Sequence, residues 1–100
     1  IETHFESQKG FLLQESGQNL GYLLYLNLVE EAEILRIGIH PDHRGKGLGK
    51  YLVFTLKNFY QKLFLEVHEK NRPALSLYES CGFQKIGIRK KYYSDGGNVV

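Results

Sequence analysis

The sequence predicts a mixed α/β (α+β) domain built on one central sheet, and three observations predict it. From Phe11 to Ile39 the apolar residues fall in short runs bounded by turn signals, from Leu48 they fall at helical spacing, and from Leu63 they alternate again. Strands followed by a strand, helix, strand unit imply an antiparallel meander that feeds a crossover. In order, Phe11 to Gln14 is a short apolar run, and the turn-rich Glu15-Ser16-Gly17-Gln18-Asn19 separates it from Leu20 to Leu28, a hairpin pattern. A second break at Val29 to Ala32 leads to Glu33 to Ile39, where Leu35, Ile37 and Ile39 alternate with Ile34, Arg36 and Gly38. Leu48, Leu52, Leu56, Phe59 and Leu63 then mark one face of a helix. Leu63, Leu65 and Val67 alternate with Phe64, Glu66 and His68, so the strands at 33–39 and 63–68 are expected to lie parallel. Asn71 caps a second helix with Pro73 in its first turn, and Gly82 stops it. Gln84 to Tyr93 reads as one strand, Ser94-Asp95-Gly96-Gly97 as a hairpin turn, and Asn98-Val99-Val100 as the start of another strand.

One hundred residues, 42% apolar and 24% charged, fit one globular domain over residues 1–100, with no repeat and no linker. Thirteen basic against eleven acidic residues give a net charge of +2, too mild to argue for a nucleic-acid partner. The single cysteine, Cys81, leaves no internal disulfide and favours a reducing, cytoplasmic compartment. Apolar runs are far shorter than the roughly 20 residues of a membrane span, and the polar start does not resemble a signal peptide. The chain stops at Val100 inside a fresh apolar run, so an open sheet edge and pairing with a second copy are expected there.

The densest chemical signal is Arg44-Gly45-Lys46-Gly47-Leu48-Gly49-Lys50, between a predicted strand and a predicted helix. Glycines let the backbone turn tightly, and the first N–H groups of a helix are unpaired donors that suit phosphate. Three cations at a helix N-terminus oppose its dipole and are better explained by an anionic partner, although glycines can also serve turn geometry alone. A P-loop is excluded by Arg44 and Tyr51 at positions that motif reserves for Gly and Ser or Thr. The dinucleotide fingerprint fails because Lys50 stands where its third glycine belongs.

Arg44 to Gly49 resembles the R/Q-x-x-G-x-G/A loop of the GNAT N-acetyltransferases, and Ile39-His40-Pro41-Asp42-His43 resembles the family's approach to it. Leu65-Glu66-Val67, Asn71-Arg72-Pro73-Ala74-Leu75-Ser76-Leu77-Tyr78-Glu79, Cys81-Gly82-Phe83 and Arg89-Lys90-Lys91-Tyr92-Tyr93 are similar to the RimI type, the ribosomal-protein alanine N-acetyltransferases. The resemblance implies a mixed sheet with a splayed parallel pair, and acetyl-CoA as cosubstrate, its pyrophosphate held by the backbone of Gly45, Lys46, Gly47, Leu48 and Gly49 beside Arg44 and Lys50. It implies that Ile37, Gly38 and Ile39 pair with the pantetheine arm like an added strand, that Asn71 touches that arm, and that no metal takes part. It also implies that a strand and helices which precede Phe11 in the family are missing here, leaving the acceptor side incomplete.

Acetyl transfer to an amine needs a proton acceptor and a donor for the leaving thiolate. Glu66, near the carboxyl end of the second parallel strand, is the candidate base, and the resemblance points to the same residue; a solvated strand carboxylate is the alternative. Tyr78 is the candidate acid by resemblance, and its spacing with Ala74, Leu77 and Cys81 also suits plain core. A carboxylate suffices for an α-amine of reference pKa ~8 and is strained for Lys at ~10.4, which favours a protein N-terminus as acceptor. The alternatives are a CoA-binding module without catalysis and an acetyltransferase for small-molecule amines. His40 and His43 lack further ligands at metal-site spacing.

Overall fold

The computed structural model describes residues 8–86 and 91–95. Strands β1 (Gln8–Glu15), β2 (Gln18–Leu28) and β3 (Glu31–Ile39) form the expected antiparallel meander. Helix α1 (Leu48–Lys57) crosses to β4 (Lys62–Glu66), helix α2 (Arg72–Ser80) follows, and β5 (Gln84–Ile86) and β6 (Lys91–Asp95) complete one sheet in the order β1-β2-β3-β4-β6-β5. Among the described strands only β3 and β4 run parallel, Glu31 beside Lys62 through Ile34 beside Leu65.

The first hairpin is tighter than the turn-rich sequence suggests. Both strands run to a two-residue turn at Ser16 and Gly17, whose φ values of 53° and 78° suit the twist of paired strands. The next turn carries a β-branched residue at positive φ, Val29 at 74°, held by a hydrogen bond from its N–H to Asn27 Oδ1 at 3.3 Å.

Inward-facing residues form the core. Leu23, Tyr25, Ala32, Ile34, Leu63 and Leu65 from the sheet are sealed by Leu52, Val53 and Leu56 of α1 and by Tyr78, Cys81 and Phe83 at the end of α2. The opposite face leaves Leu12, Leu24, Leu28 and Leu35 well exposed. Among the described residues no helix is long and apolar enough to cross a membrane.

Two sequence expectations need correction. Phe59 and Leu63 do not continue the helix. α1 stops at Lys57, Phe59 is mostly exposed against Phe11, and Leu63 is already core in β4, because only four residues connect the helix to that strand. Gln84 to Tyr93 is not one strand, since Ile86 pairs antiparallel with Lys91 and the run holds parts of two. Ser94 and Asp95 consequently belong to β6 instead of a turn, with Ser94 buried opposite Leu63. The rest of that predicted turn and the strand at 98–100 lie outside the described residues.

The meander contains an irregularity at the level of the site. Leu24 pairs with Arg36 and Tyr25 with Ile34, so Leu35 is an extra residue, a β-bulge. It moves the inward set from Ala32 and Ile34 to Ile37 and Ile39, which also pack on the core. The parallel ladder ends at the same level, with Ile34 beside Leu65, and beyond it β3 and β4 splay apart.

Candidate active site

The splay opens a cleft of about 250 Å³ between Leu35, Arg36 and Ile37 on one side and Glu66, Val67 and His68 on the other, with Asn71, Ala74 and Tyr78 of the α2 region behind. A second cavity of about 340 Å³ shares Ile37, Asn71 and Ala74 with it and continues past Gly38 and Ile39 to Arg44, Pro73 and Leu77. Together the two reach from the sheet to Arg44, where the glycine loop begins.

At the loop end, Gly45 and Gly47 have φ of 80° and 81°, and an added Cβ at either would meet open space. Their requirement is backbone conformation, which side-chain residues adopt only at a cost. Gly49 differs: a Cβ there would lie 3.2 Å from Leu77, so this position lets α1 approach α2. Gly47 caps α1 with no side-chain hydrogen bond, and the helix ladder begins with Tyr51 N–H to Gly47 O at 3.0 Å. The amides of Leu48, Gly49 and Lys50 therefore form an orphan donor set at the positive end of the helix. Arg44 folds its Nε onto Ile39 O at 3.1 Å, tying the loop to the end of β3, and Lys46 Nζ lies 3.4 Å from His43 Nδ1. Among the described residues none of Arg44, Lys46 and Lys50 has a carboxylate within 4.0 Å. Uncapped amides, two left-handed glycines and three cations without acidic partners fit a pyrophosphate.

At the sheet end, Leu63, Leu65 and Val67 point into the core, which turns Glu66 outward. Glu66 lines both the cleft and a smaller cavity shared with Leu28, Glu33, Phe64 and Leu65. Tyr78 is buried in the core cluster and lines the cleft as well, so its two sequence readings are compatible. Burial pushes its phenol up to about 12, with nearby Cys81 adding to the shift. Burial also raises the Cys81 thiol, against the lowering influence of Ser80, Lys57 and Lys50, which leaves it a poor nucleophile. Asn71 Oδ1 accepts from Ala74 N–H at 3.3 Å, the capping bond that starts α2.

Glu66, Tyr78 and Asn71 thus share one cleft, and Ile37, Gly38, Ile39 and Arg44 line its continuation. Arg36 and His68 were not singled out from the sequence; they line the cleft beyond the point where the pairing of β3 with β4 ends. Among the described residues no group of three metal-ligating side chains is assembled; His40 and His43 stack edge to face at 5.6 Å.

A meander, a glycine-loop crossover and a splayed parallel pair define an acyltransferase-like class of site. Residues 2–83 match the acetyltransferase (GNAT) family, and the chain belongs to it. It is 41% identical to N-alpha-acetyltransferase RimI of Mycobacterium tuberculosis over 67% of this chain and 44% of that protein. It is 33% identical to the ribosomal protein bS18-alanine N-acetyltransferase of Escherichia coli K12 over 92% of this chain and 69% of that one. The crystal structure of the ribosomal-protein-S18-alanine N-acetyltransferase from Escherichia coli superposes with a TM-score of 0.73 at 25% identity, over 95% of this chain and 76% of that one. The chain spans roughly half to two thirds of the length of the relatives it matches.

Proposed function

We propose that this chain transfers acetyl from acetyl-CoA to an amine, with the N-terminal α-amine of a protein as the acceptor. The carrying observation is that Glu66 and Tyr78, distant in sequence, line one cleft, and that a second cavity sharing Ile37, Asn71 and Ala74 with it reaches Arg44 at the start of the glycine loop. The similarity to ribosomal-protein alanine N-acetyltransferases supports this choice of acceptor.

When bound, acetyl-CoA supplies the activated thioester. The amides at the start of α1, with Arg44, Lys46 and Lys50, would hold its phosphates, and the strand end Ile37 to Ile39 would offer main-chain bonds to the pantetheine arm. Glu66, which an acceptor can approach from the far face of the sheet, takes the ammonium proton directly or through water. Tyr78 donates a hydrogen bond to the leaving sulfur. Its phenol at about 12 lies roughly three units above an ordinary thiol, so the phenol stays protonated through the working pH range and stabilises the thiolate chiefly as a donor. The proton that ends on CoA comes from the amine. A second copy pairing at an open sheet edge belongs to the same proposal; among the described strands β1 and β5 lie at the edges.

The test measures CoA release with acetyl-CoA and peptides bearing N-terminal Ala, Ser or Met. Turnover is expected with at least one peptide, and Glu66→Gln should lower kcat about a hundredfold. Calorimetric acetyl-CoA binding without turnover on any peptide would point to a binding module, and turnover confined to small amines would move the acceptor to another class.

A further inference from the structure

Lys57, the last residue of α1, is buried at 8% exposure, and nothing in the proposed chemistry uses it. Its ammonium donates to the carbonyl of Cys81 at 2.6 Å and sits 5.1 Å and 6.0 Å from the ring centroids of Phe54 and Phe83. A Cβ on Gly82 would lie 3.5 Å from Nζ, so the ammonium is lodged beneath the turn Cys81-Gly82-Phe83. Among the described residues no carboxylate lies within 4.0 Å of it. A buried cation without an acid is costly, and a methionine of similar length could fill the slot without that penalty. What an ammonium adds is direction: it takes up a carbonyl at the negative end of α2 and rests against aromatic faces.

That turn is where Tyr78 is held. The carbonyl of Tyr78 accepts from Cys81 N–H and from Phe83 N–H, both at 3.0 Å, and the Tyr78 and Phe83 rings meet edge to face with centroids 5.5 Å apart. We propose that Lys57 is a positioning residue for Tyr78: by pinning the Cys81–Phe83 turn to the end of α1, it fixes the Phe83 ring and, through it, the direction of the phenol in the cleft. This rests on the reading of Tyr78 as donor to the leaving sulfur.

The test uses the full chain, wild type and with Lys57→Met, Lys57→Arg, Tyr78→Phe and Lys57→Met combined with Tyr78→Phe. Lys57→Met is expected to lower kcat about tenfold with the KM for acetyl-CoA changed by less than about twofold, and Lys57→Arg, which can still donate, to recover most of the loss. In the Tyr78→Phe background Lys57→Met should add nothing further. With 3-fluorotyrosine incorporated, the ¹⁹F resonance that vanishes in Tyr78→Phe should shift or broaden in Lys57→Met, a readout that needs no turnover. An unmoved resonance, or the same Lys57→Met penalty with and without Tyr78, overturns the proposal. If Tyr78→Phe leaves kcat intact, the donor reading fails and the ¹⁹F result alone decides whether Lys57 holds the ring. Should Lys57→Met not fold, Phe83→Leu breaks the same link and is expected to show the same resonance change and the same non-additivity; additivity there overturns the proposal.

Discussion

Among the described residues, Tyr78 and Tyr60 have phenols that the fold holds well above the ordinary tyrosine value. Burial pushes both phenols up to about 12, and for Tyr60 a hydrogen bond with Tyr25 adds to it while its own hydroxyl donates to Asn27 Oδ1 at 2.8 Å. The folded state therefore prefers the neutral phenol, and the sign follows from linkage. The contribution is complete below pH 10, where an unfolded tyrosine begins to ionise, and is lost as the pH rises from about 10 to about 12. For the deeply buried Tyr78 two units correspond to about 3 kcal/mol. Urea midpoints at pH 9, 10.5 and 11.5 should fall steadily, and Tyr78→Phe should flatten part of the decline. A midpoint constant across that range would refute the assignment.

At the scale of elements, the turn after β2 is the weak point of the meander. A valine at φ 74° forces its branched side chain against the backbone, and at 83% exposure Val29 gains little from burial in return. Val29→Asn, which tolerates this conformation, is expected to stabilise the chain by about 1 kcal/mol, or roughly 4–8 °C in thermal midpoint by circular dichroism; an equal or lower midpoint counts against it. Most elements were legible in the sequence because each carries its own local signal. Asn71 and Pro73 start α2, Gly82 ends it, and Ser16-Gly17 closes the hairpin. Two boundaries were not legible. Phe59 keeps the helical spacing after α1 has ended, because what stops the helix is the short reach to β4, a tertiary demand. The run from Gln84 to Tyr93 is apolar and basic enough to pass for one strand, while its division shows only in the pairing of Ile86 with Lys91. The loop residues of the site were readable from spacing and charge, whereas Arg36 and His68 become neighbours only through strand splay.

The whole molecule is one sheet with both described helices on a single face, and the groove lies where its two halves part. Alternation in β3 was visible in the sequence, but which residues face inward was not, since Leu35 changes the count midway. Deleting Leu35 would place Ile37 two residues after Ile34, keep Ile37 opposite Leu23 and Arg36 opposite Leu24, and leave the whole inward set in place. β3 would then be free to run beside β4 past Leu65. Such a variant is expected to melt close to the parent temperature and to lose acetyl-CoA binding in calorimetry, whereas retained affinity would show that the groove does not depend on the miscount. On the proposed reading binding would be separable from architecture: the sheet would survive the loss of one supernumerary residue as a sound scaffold without its receptacle.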